Sequence, residues 1–202
     1  MRELRDGVSR RPGRVRTLGG FLEPLFTCFD IEATDLNASF GHTLCTCFSN
    51  LHTDAIDVFR LDDERYRGAT LSDDSKLVEA VKGYMESAFC WLSWYGKMYD
   101  VPFLNTRLAM AGKKPIERRF HCDLIYYARK PFLALYSSKL DAMIKTFGLK
   151  EEKTALDPKI WTRAYELDKD AMDEVVRHCI QDVKALKEAF PILAPQIRNL
   201  HM

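Results

Sequence analysis

The chain has 202 residues, with 30 Lys and Arg against 29 Asp and Glu, and 47% of its residues are hydrophobic. This length and composition predict one sizeable domain with a packed core. The net charge of +1 excludes a protein that binds polyanions over its whole surface. No apolar run approaches the roughly 20 residues that span a bilayer, and no apolar segment follows the Arg-rich start as it would in a signal peptide. We therefore expect an intracellular protein, cytoplasmic or nuclear, without membrane association.

The first segment is strongly basic. Residues 1–19 contain six Arg and two acidic residues, together with Pro and Gly. This composition predicts a flexible N-terminal arm, which either has no role or contacts nucleic acid. The remaining residues, 20–202, are predicted to form a single domain.

Three strand-like segments follow the arm and are separated by turn-forming residues. They lie at residues 25–31, 43–49 and 55–61. Because the three segments follow one another directly, antiparallel pairing is favoured.

Farther along, the pattern changes to an alternation of helices and strands. Helical spacing of apolar residues is found at 72–87, 100–112, 137–148 and 168–190. Short apolar strands are indicated at 88–94 and 118–125, and the second leads into another helix. The sequence thus predicts an α/β fold, with three antiparallel strands and further parallel strands in one mixed sheet flanked by helices. Residues 151–159 are predicted to be a flexible connection.

The six cysteines are scattered, and most of them lie in apolar runs. They are Cys28, Cys45, Cys47, Cys90, Cys122 and Cys179. No CxxC pair is present, and the spacing does not match a disulfide scaffold, so reduced core thiols are favoured. A zinc site is the alternative, because histidines lie close to cysteines at His42, His121 and His178, but the usual ligand spacing is lacking.

Two acids occupy the first strand in an unexpected way. Asp30 and Glu32 are separated by one residue, so both project from the same face of the strand. Two carboxylates there repel each other unless a cation lies between them. An exposed edge strand without function is the alternative, but the apolar residues before Asp30 are typical of a central strand.

Two further acidic segments have the same character. Asp100 follows an apolar strand at the start of a helix, where a simple helix cap is the alternative. His178 and Asp182 are four residues apart and therefore share a helix face, where a local hydrogen bond is the alternative. Taken together, the acids form an all-oxygen ligand set that suits two Mg²⁺ or Mn²⁺ ions, about 3.5–4 Å apart in enzymes that cleave phosphodiesters.

These segments resemble the motifs of the DEDD superfamily of 3′→5′ exonucleases, which have a ribonuclease H-like fold. The first motif is matched by Asp30, Glu32, Ala33, Thr34 and Leu36, and the second by Tyr99, Asp100, Pro102, Phe103 and Leu104. The third motif is matched by Asp182. The similarity covers roughly residues 24–190 and is greatest to the proofreading domains of family B polymerases and related stand-alone nucleases.

The resemblance implies a role for each matched residue. Metal binding falls to Asp30, Glu32, Asp100 and Asp182, and catalysis to these four together with His178. Glu32 would also hydrogen-bond the terminal 3′-hydroxyl. Substrate contacts are expected from Thr34, Leu36, Tyr95, Tyr99 and Phe103. Leu36 would wedge against the terminal base, although packing within its own loop is the alternative.

The chain departs from the family pattern at two positions. Tyr95 stands where the second motif usually has Asn. The family has either Tyr four residues, or His five residues, before the last Asp. Here His178 stands at the tyrosine spacing, and Arg177 stands at the histidine spacing. His178 is therefore either a competent general base or a misaligned residue, and we favour the first.

Two basic segments are candidates for binding the rest of a nucleic-acid strand. One consists of Lys113, Lys114, Arg118 and Arg119, for which a solvated loop is an equal alternative. The other interleaves rings with charge at Tyr126, Tyr127, Arg129 and Lys130. The three tryptophans are expected in the core or an interface. Asp35, Asp123 and Asp141 are not expected to be primary metal ligands, and Asp123 is expected to cap the following helix.

The sequence thus predicts a metal-dependent 3′→5′ exonuclease in residues 20–202, acting on the 3′ end of single-stranded DNA or RNA, with DNA slightly favoured. A polymerase or another replication or repair protein is a candidate partner. A structure-specific endonuclease of the same fold and a non-catalytic module that binds nucleic acid or protein are the alternatives.

Overall fold

The computed structural model describes residues 26–151 and 156–197, together with the backbone of two short strands near the N-terminus. These two strands, β1 (Thr17–Leu18) and β2 (Phe21–Leu22), pair in antiparallel fashion. The rest of the basic arm predicted at residues 1–19 lies outside the described residues.

The main sheet of the described residues has five strands in the order β5-β4-β3-β6-β7. Their bounds are β3 (Phe26–Ala33), β4 (Thr43–Asn50), β5 (Ile56–Arg60), β6 (Cys90–Ser93) and β7 (Phe120–Asp123). The first three pair in antiparallel fashion, and β6 and β7 extend the sheet in parallel with β3. The predicted mixed sheet is therefore confirmed.

Helices cover both faces of this sheet. They are α1 (Ser75–Ser87), α2 (Asp100–Met110), α3 (Leu140–Phe147), α4 (Pro158–Tyr165) and α5 (Lys169–Leu193). One core cluster joins the sheet to α3, α4 and α5, and a second joins its other face to α1 and α2. None of the helices that the structure describes has both the length and the apolar character needed to cross a bilayer.

Alternation along β3 decides which side chains face α5. Cys28 belongs to the core cluster beneath α5, whereas Phe29 and Ile31 belong to the cluster beneath α1 and α2. Because residues i and i+2 of a strand share a face, Asp30 and Glu32 lie on the same side as Cys28. The two acids therefore face α5.

Two predicted elements need correction. The helix expected after β7 is only a 3-10 turn, Leu124–Tyr126, and a cis peptide bond precedes Pro131 farther along the same connection. The stretch predicted as a flexible connection contributes to α4, whose N-cap Asp157 accepts a 2.9 Å hydrogen bond from the backbone N–H of Lys159. Residues 152–155 of that stretch lie outside the described residues.

The cysteines and Trp91 are buried, and Trp94 is partly buried against the core. All six cysteines have free, buried thiols, and those of Cys45, Cys47 and Cys179 lie within 4.8 Å of one another. The indole N–H of Trp91 donates to the carbonyl oxygen of Met85, and that of Trp94 donates to the carbonyl oxygen of Ser138. The free, buried thiols and the packing of these two tryptophans against the core agree with the sequence predictions.

A buried ion pair joins three parts of the chain around the loop that carries Leu36. The carboxylate of Asp74 is 1% exposed and accepts hydrogen bonds from the guanidinium of Arg107 and from the backbone N–H of Thr43. Arg107 also donates to the carbonyl oxygen of Ala38, 3.3 Å away. The pair thereby connects the start of β4 and helix α2 to the loop between β3 and β4.

Candidate active site

The candidate site begins at the end of β3, where α5 crosses the strand. The thiol of Cys179 in α5 donates to the carbonyl oxygen of Asp30, with a sulfur–oxygen distance of 3.3 Å. This contact joins residues 149 positions apart in the chain. It places the helix directly against the strand that carries Asp30 and Glu32.

Glu32, His178 and Asp182 form one cluster in this region. Each offers a ligand atom within 4.8 Å of those of the other two. Nε2 of His178 lies 3.8 Å from Oε1 of Glu32. Asp182 is 6% exposed and His178 is 9% exposed. These three residues can hold a cation or position a water molecule in a site that is mostly closed to solvent.

The spacing of four residues directs His178 toward this cluster. Residues three or four apart share one face of an α-helix, and His178 and Asp182 are both buried on α5. Arg177, which stands at the histidine spacing of the family, is exposed. The departure from the family pattern therefore leaves the imidazole next to the acids.

Asp100 adds a carboxylate from the opposite side of β3. It is the first residue of α2, it is 4% exposed, and its Oδ1 accepts a 3.3 Å hydrogen bond from the backbone N–H of Ile31. Ile31 lies between Asp30 and Glu32, so Asp100 is adjacent to both. The pKa of Asp100 is raised to about 7, mainly by burial and also by the nearby charges of Asp123 and Asp182, against two backbone hydrogen bonds that lower it.

This arrangement fits a divalent cation. The carboxylates of Glu32 and Asp182 share one cluster, Asp100 is hydrogen-bonded to the strand beside Glu32, and Asp100 is so poorly solvated that its charge is costly without a nearby cation. All-oxygen donor sets of this kind are preferred by Mg²⁺ and Mn²⁺. The acidic residues predicted to bind metal therefore have the chemistry for it.

Asp123 positions the loop that leads into Asp100, a role that the sequence analysis missed. Its buried carboxylate accepts hydrogen bonds from the backbone N–H groups of Tyr95, at 2.6 Å, and Lys97, at 3.0 Å. Burial raises the pKa of Asp123, and these hydrogen bonds act in the opposite direction. Asp123, which was expected to cap the following helix, instead connects the end of β7 to the loop between β6 and α2 through these hydrogen bonds. The signal available was an acid directly after an apolar strand, the same signal that identified Asp100.

Gly96 completes this loop because no side chain fits there. An added Cβ would lie 2.4 Å from Oγ of Ser93 and 3.3 Å from Oδ2 of Asp100. The hydroxyl of Ser93 is itself held 2.7 Å from Nε2 of His121. Burial lowers the pKa of His121 to about 3, so this imidazole stays neutral near pH 7. The neighbours of Gly96 are therefore fixed, and the loop must approach them closely.

The residues predicted to contact the substrate occupy different environments. Thr34 is tied to His42, whose backbone N–H donates to its hydroxyl at 3.0 Å. Leu36 is 85% exposed at the tip of its loop and makes no buried packing contact there. Tyr95 is 43% exposed and has a positive φ of 72°, in the loop held by Asp123. Leu36 and Tyr95 are thus open to a ligand, whereas Thr34 is engaged within the fold.

The rings of Tyr99 and Phe103 are in contact, with their planes tilted by 52°. Their ring centroids lie 5.7 Å apart, and Phe103 is 3% exposed in the core beneath α2. Tyr99 is partly buried, and its hydroxyl donates to the carbonyl oxygen of Asp35 at 3.5 Å. Burial and the charges of Asp100, Glu32, Asp30 and Asp35 raise the pKa of this tyrosine. Phe103 therefore supports Tyr99 from behind, and its ring has no face open to a substrate.

The remaining predicted candidates are engaged by other groups of the fold. The carboxylate of Asp35 accepts from the backbone N–H of Asn37, and Asp141 pairs with Lys145. In the first basic segment, Lys113 pairs with Glu79, and Arg119 pairs with Glu117. Part of the positive charge of that segment is therefore neutralised within the fold.

The comparisons with known proteins agree with this geometry. The family model described as RNase_H superfamily matches residues 27–192. The chain belongs to this family. The match confirms the ribonuclease H-like superfamily that the acidic motifs predicted, and it supports a nuclease-type function. A search of the curated proteins found no match.

Among solved structures, the fold is similar to that of the family B DNA polymerase from the hyperthermophilic archaeon Pyrobaculum calidifontis. The TM-score is 0.67 at 17% sequence identity, and the match covers 88% of this chain. It covers 26% of the polymerase chain, so this RNase_H-family chain corresponds to about a quarter of that protein. At this identity, the similarity shows the shared fold.

Replacing Gly96 with Ala should disturb the loop before Asp100. The methyl group cannot fit beside Ser93, so we expect Gly96→Ala to lower the free energy of unfolding by about 1–3 kcal/mol. Gly83 in α1 is the matched control, because an added Cβ meets nothing within 4 Å there. Gly83→Ala should stabilise the protein by about 0.5–1 kcal/mol. Urea unfolding of both variants measures the difference, and equal effects would contradict the tight fit at Gly96.

Ionisation of Asp100 should destabilise the protein when EDTA removes divalent ions. The pKa of this acid is about 7 in the folded protein against an ordinary value of 3.8. As pH rises, Asp100 therefore ionises in the unfolded chain before it ionises in the folded protein. The free energy of unfolding should accordingly fall as pH rises from about 4 to 7. Asp100→Asn should be more stable than the parent at pH 8, on the order of 2 kcal/mol. Thermal melts of parent and variant across this pH range measure the difference. Equal stability at pH 8 would show that the charge of Asp100 does not destabilise the folded protein.

Proposed function

We propose that this protein is a metal-dependent 3′→5′ exonuclease that removes nucleotides from single-stranded nucleic acid, with DNA slightly favoured over RNA. The observation that carries the proposal is the convergence of Glu32, His178 and Asp182, with Asp100 hydrogen-bonded to the strand between Asp30 and Glu32. Membership in the RNase_H superfamily and a fold shared with a DNA polymerase support a nuclease-type function.

Asp30, Glu32, Asp100 and Asp182 would hold two Mg²⁺ or Mn²⁺ ions. When bound, such ions neutralise charge on the scissile phosphate, lower the pKa of water and stabilise the leaving oxygen. The low exposure of Asp100 and Asp182 limits competing water at this edge of the site. Electrostatic interactions are stronger there than at an open surface.

His178 takes the proton from the attacking water. Its Nε2 lies beside Glu32, on the helix face shared with Asp182. The usual pKa of histidine, about 6.5, suits a general base near neutral pH. The side chain is 11% exposed, so it is partly shielded from bulk solvent.

The terminal nucleotide would lie between the acids and the exposed loop residues. Glu32 would accept a hydrogen bond from the 3′-hydroxyl, and exposed Leu36 would press against the last base. Tyr95 and Tyr99 would provide further contacts, with Tyr99 held from behind by Phe103. A polymerase or another replication or repair protein is proposed as partner because the fold neighbour is a DNA polymerase.

A single incubation separates the candidate activities. A 5′-labelled single-stranded oligonucleotide with Mg²⁺ or Mn²⁺ should give a ladder of products that shorten from the 3′ end. Asp182→Asn should abolish the ladder, and parallel deoxy- and ribo-oligonucleotides should show faster cleavage of DNA. One internal cut would indicate an endonuclease instead, and an intact but retarded band would indicate a binding module.

Substitutions of His178 test the general base. We expect His178→Ala to lower turnover by roughly 10²–10⁴-fold, the usual contribution of a positioned base, with little change in oligonucleotide binding. His178→Tyr should retain substantial activity because the residue stands at the spacing of the tyrosine subclass, but the acidic limb of its pH–rate profile should change. Arg177→Ala is the control and should leave turnover unchanged. An alanine variant as fast as the parent between pH 6 and 9 would show that His178 only packs on the helix.

A further inference from the structure

We infer that residues 124–139, the basic–aromatic loop, bind the upstream part of the single strand whose 3′ end enters the site. This inference rests on the proposed function and extends it to a second, non-catalytic surface. The loop connects β7 to α3 and includes Arg129, Lys130 and Lys139, all exposed. Its sequence contains no acidic residue, so the three cations give the loop a net charge of +3.

The aromatic side chains of this loop are unusually open. Tyr126 is 44% exposed, Phe132 is 45% exposed, and Tyr136 is 71% exposed. The ring of Phe132 packs against Tyr127, with centroids 5.6 Å apart. Exposed rings interleaved with cations suit a single strand, because bases can stack on the rings while phosphates meet the charges.

The loop is anchored at the edge of the sheet where the acids lie. Strands β3, β6 and β7 are parallel, so their carboxyl ends share one edge. The loop starts directly after Asp123 at the end of β7. Near its other end, the carbonyl oxygen of Ser138 accepts a 3.0 Å hydrogen bond from the indole N–H of Trp94. Trp94 directly precedes Tyr95 in the loop between β6 and α2. A single-stranded nucleic acid that enters the site from this side therefore crosses the loop.

Part of the loop has the donors that a phosphate requires. A small open cavity is lined in part by Arg129, Lys130, Ser137 and Ser138. The guanidinium of Arg129 lies 3.3 Å from the hydroxyl of Ser138. Two cations and two hydroxyl groups around one cavity can bind a phosphate oxygen through charge-assisted hydrogen bonds.

Buried residues hold these groups in place. Leu124, Ala128 and Leu140 are at most 5% exposed and fix the start, middle and end of the segment in the core. The rings and cations are thus presented from a supported backbone, which lowers the entropy lost when a ligand binds.

The test compares binding of a strand with hydrolysis of a substrate too short to reach the loop. Arg129→Ala and Tyr136→Ala should each weaken binding of a fluorescent 12-nucleotide oligodeoxythymidylate in EDTA, by about 5- to 100-fold for the tyrosine. For Arg129→Ala, the slope of log affinity against log salt should fall by about 0.7. With Mg²⁺, both variants should hydrolyse the p-nitrophenyl ester of thymidine 5′-monophosphate as fast as the parent.

Lys76→Ala is the control, because Lys76 is exposed on α1, which packs on the face of the sheet opposite α3, α4 and α5. Its binding of the 12-mer should match that of the parent. Equal binding by all four proteins, or an equal loss in Lys76→Ala, would overturn the inference. If the parent binds the 12-mer through the loop but hydrolyses neither substrate, the proposed exonuclease activity fails and the binding surface stands.

Discussion

Repulsion among buried carboxylates is the constraint on which this structure depends. Asp100 and Asp182 are almost inaccessible to water, and the end of β3 adds Asp30 and Glu32. Packing of this kind normally opposes folding, because each charge loses its hydration and gains like-charged neighbours. The sheet and α5 nevertheless hold Glu32 and Asp182 together, and a divalent cation bound between them would offset this repulsion. The stability of the domain and its capacity for chemistry are therefore set at the same place.

Polar contacts around the acids hold their loops in place against this electrostatic repulsion. Asp123 holds the loop that precedes Asp100 through two backbone N–H groups, and Gly96 permits that loop to approach Ser93. On the other side, the Asp74–Arg107 ion pair connects α2 to the loop that carries Leu36. Such supporting contacts hold reacting groups within narrow tolerances, as a preorganised site requires.

Sequence patterns were sufficient for the sheet and for the shared face of Asp30 and Glu32, since apolar runs and i, i+2 spacing report directly on strands and their faces. They failed where tertiary contacts decide. The bridge from Asp123 to Tyr95 and Lys97 joins residues 28 and 26 positions apart, which no local pattern reveals. Burial of Phe103 behind Tyr99 could not be read from its motif either. Helix α4 differs, because its start carries a local signal. Asp157 and Pro158 form a typical helix start, yet residues 151–159 were predicted to be a flexible connection.

The contact between Cys179 and Asp30 spans 149 positions, and that between Asp100 and Ile31 spans 69. The proposed ligands are brought together only when β3 and α5 have met in the folded chain. A divalent ion bound among them would therefore favour the complete fold over partly folded chains and stabilise the native state by mass action. In the cell, the concentration of that ion would help to decide how much of this protein is folded.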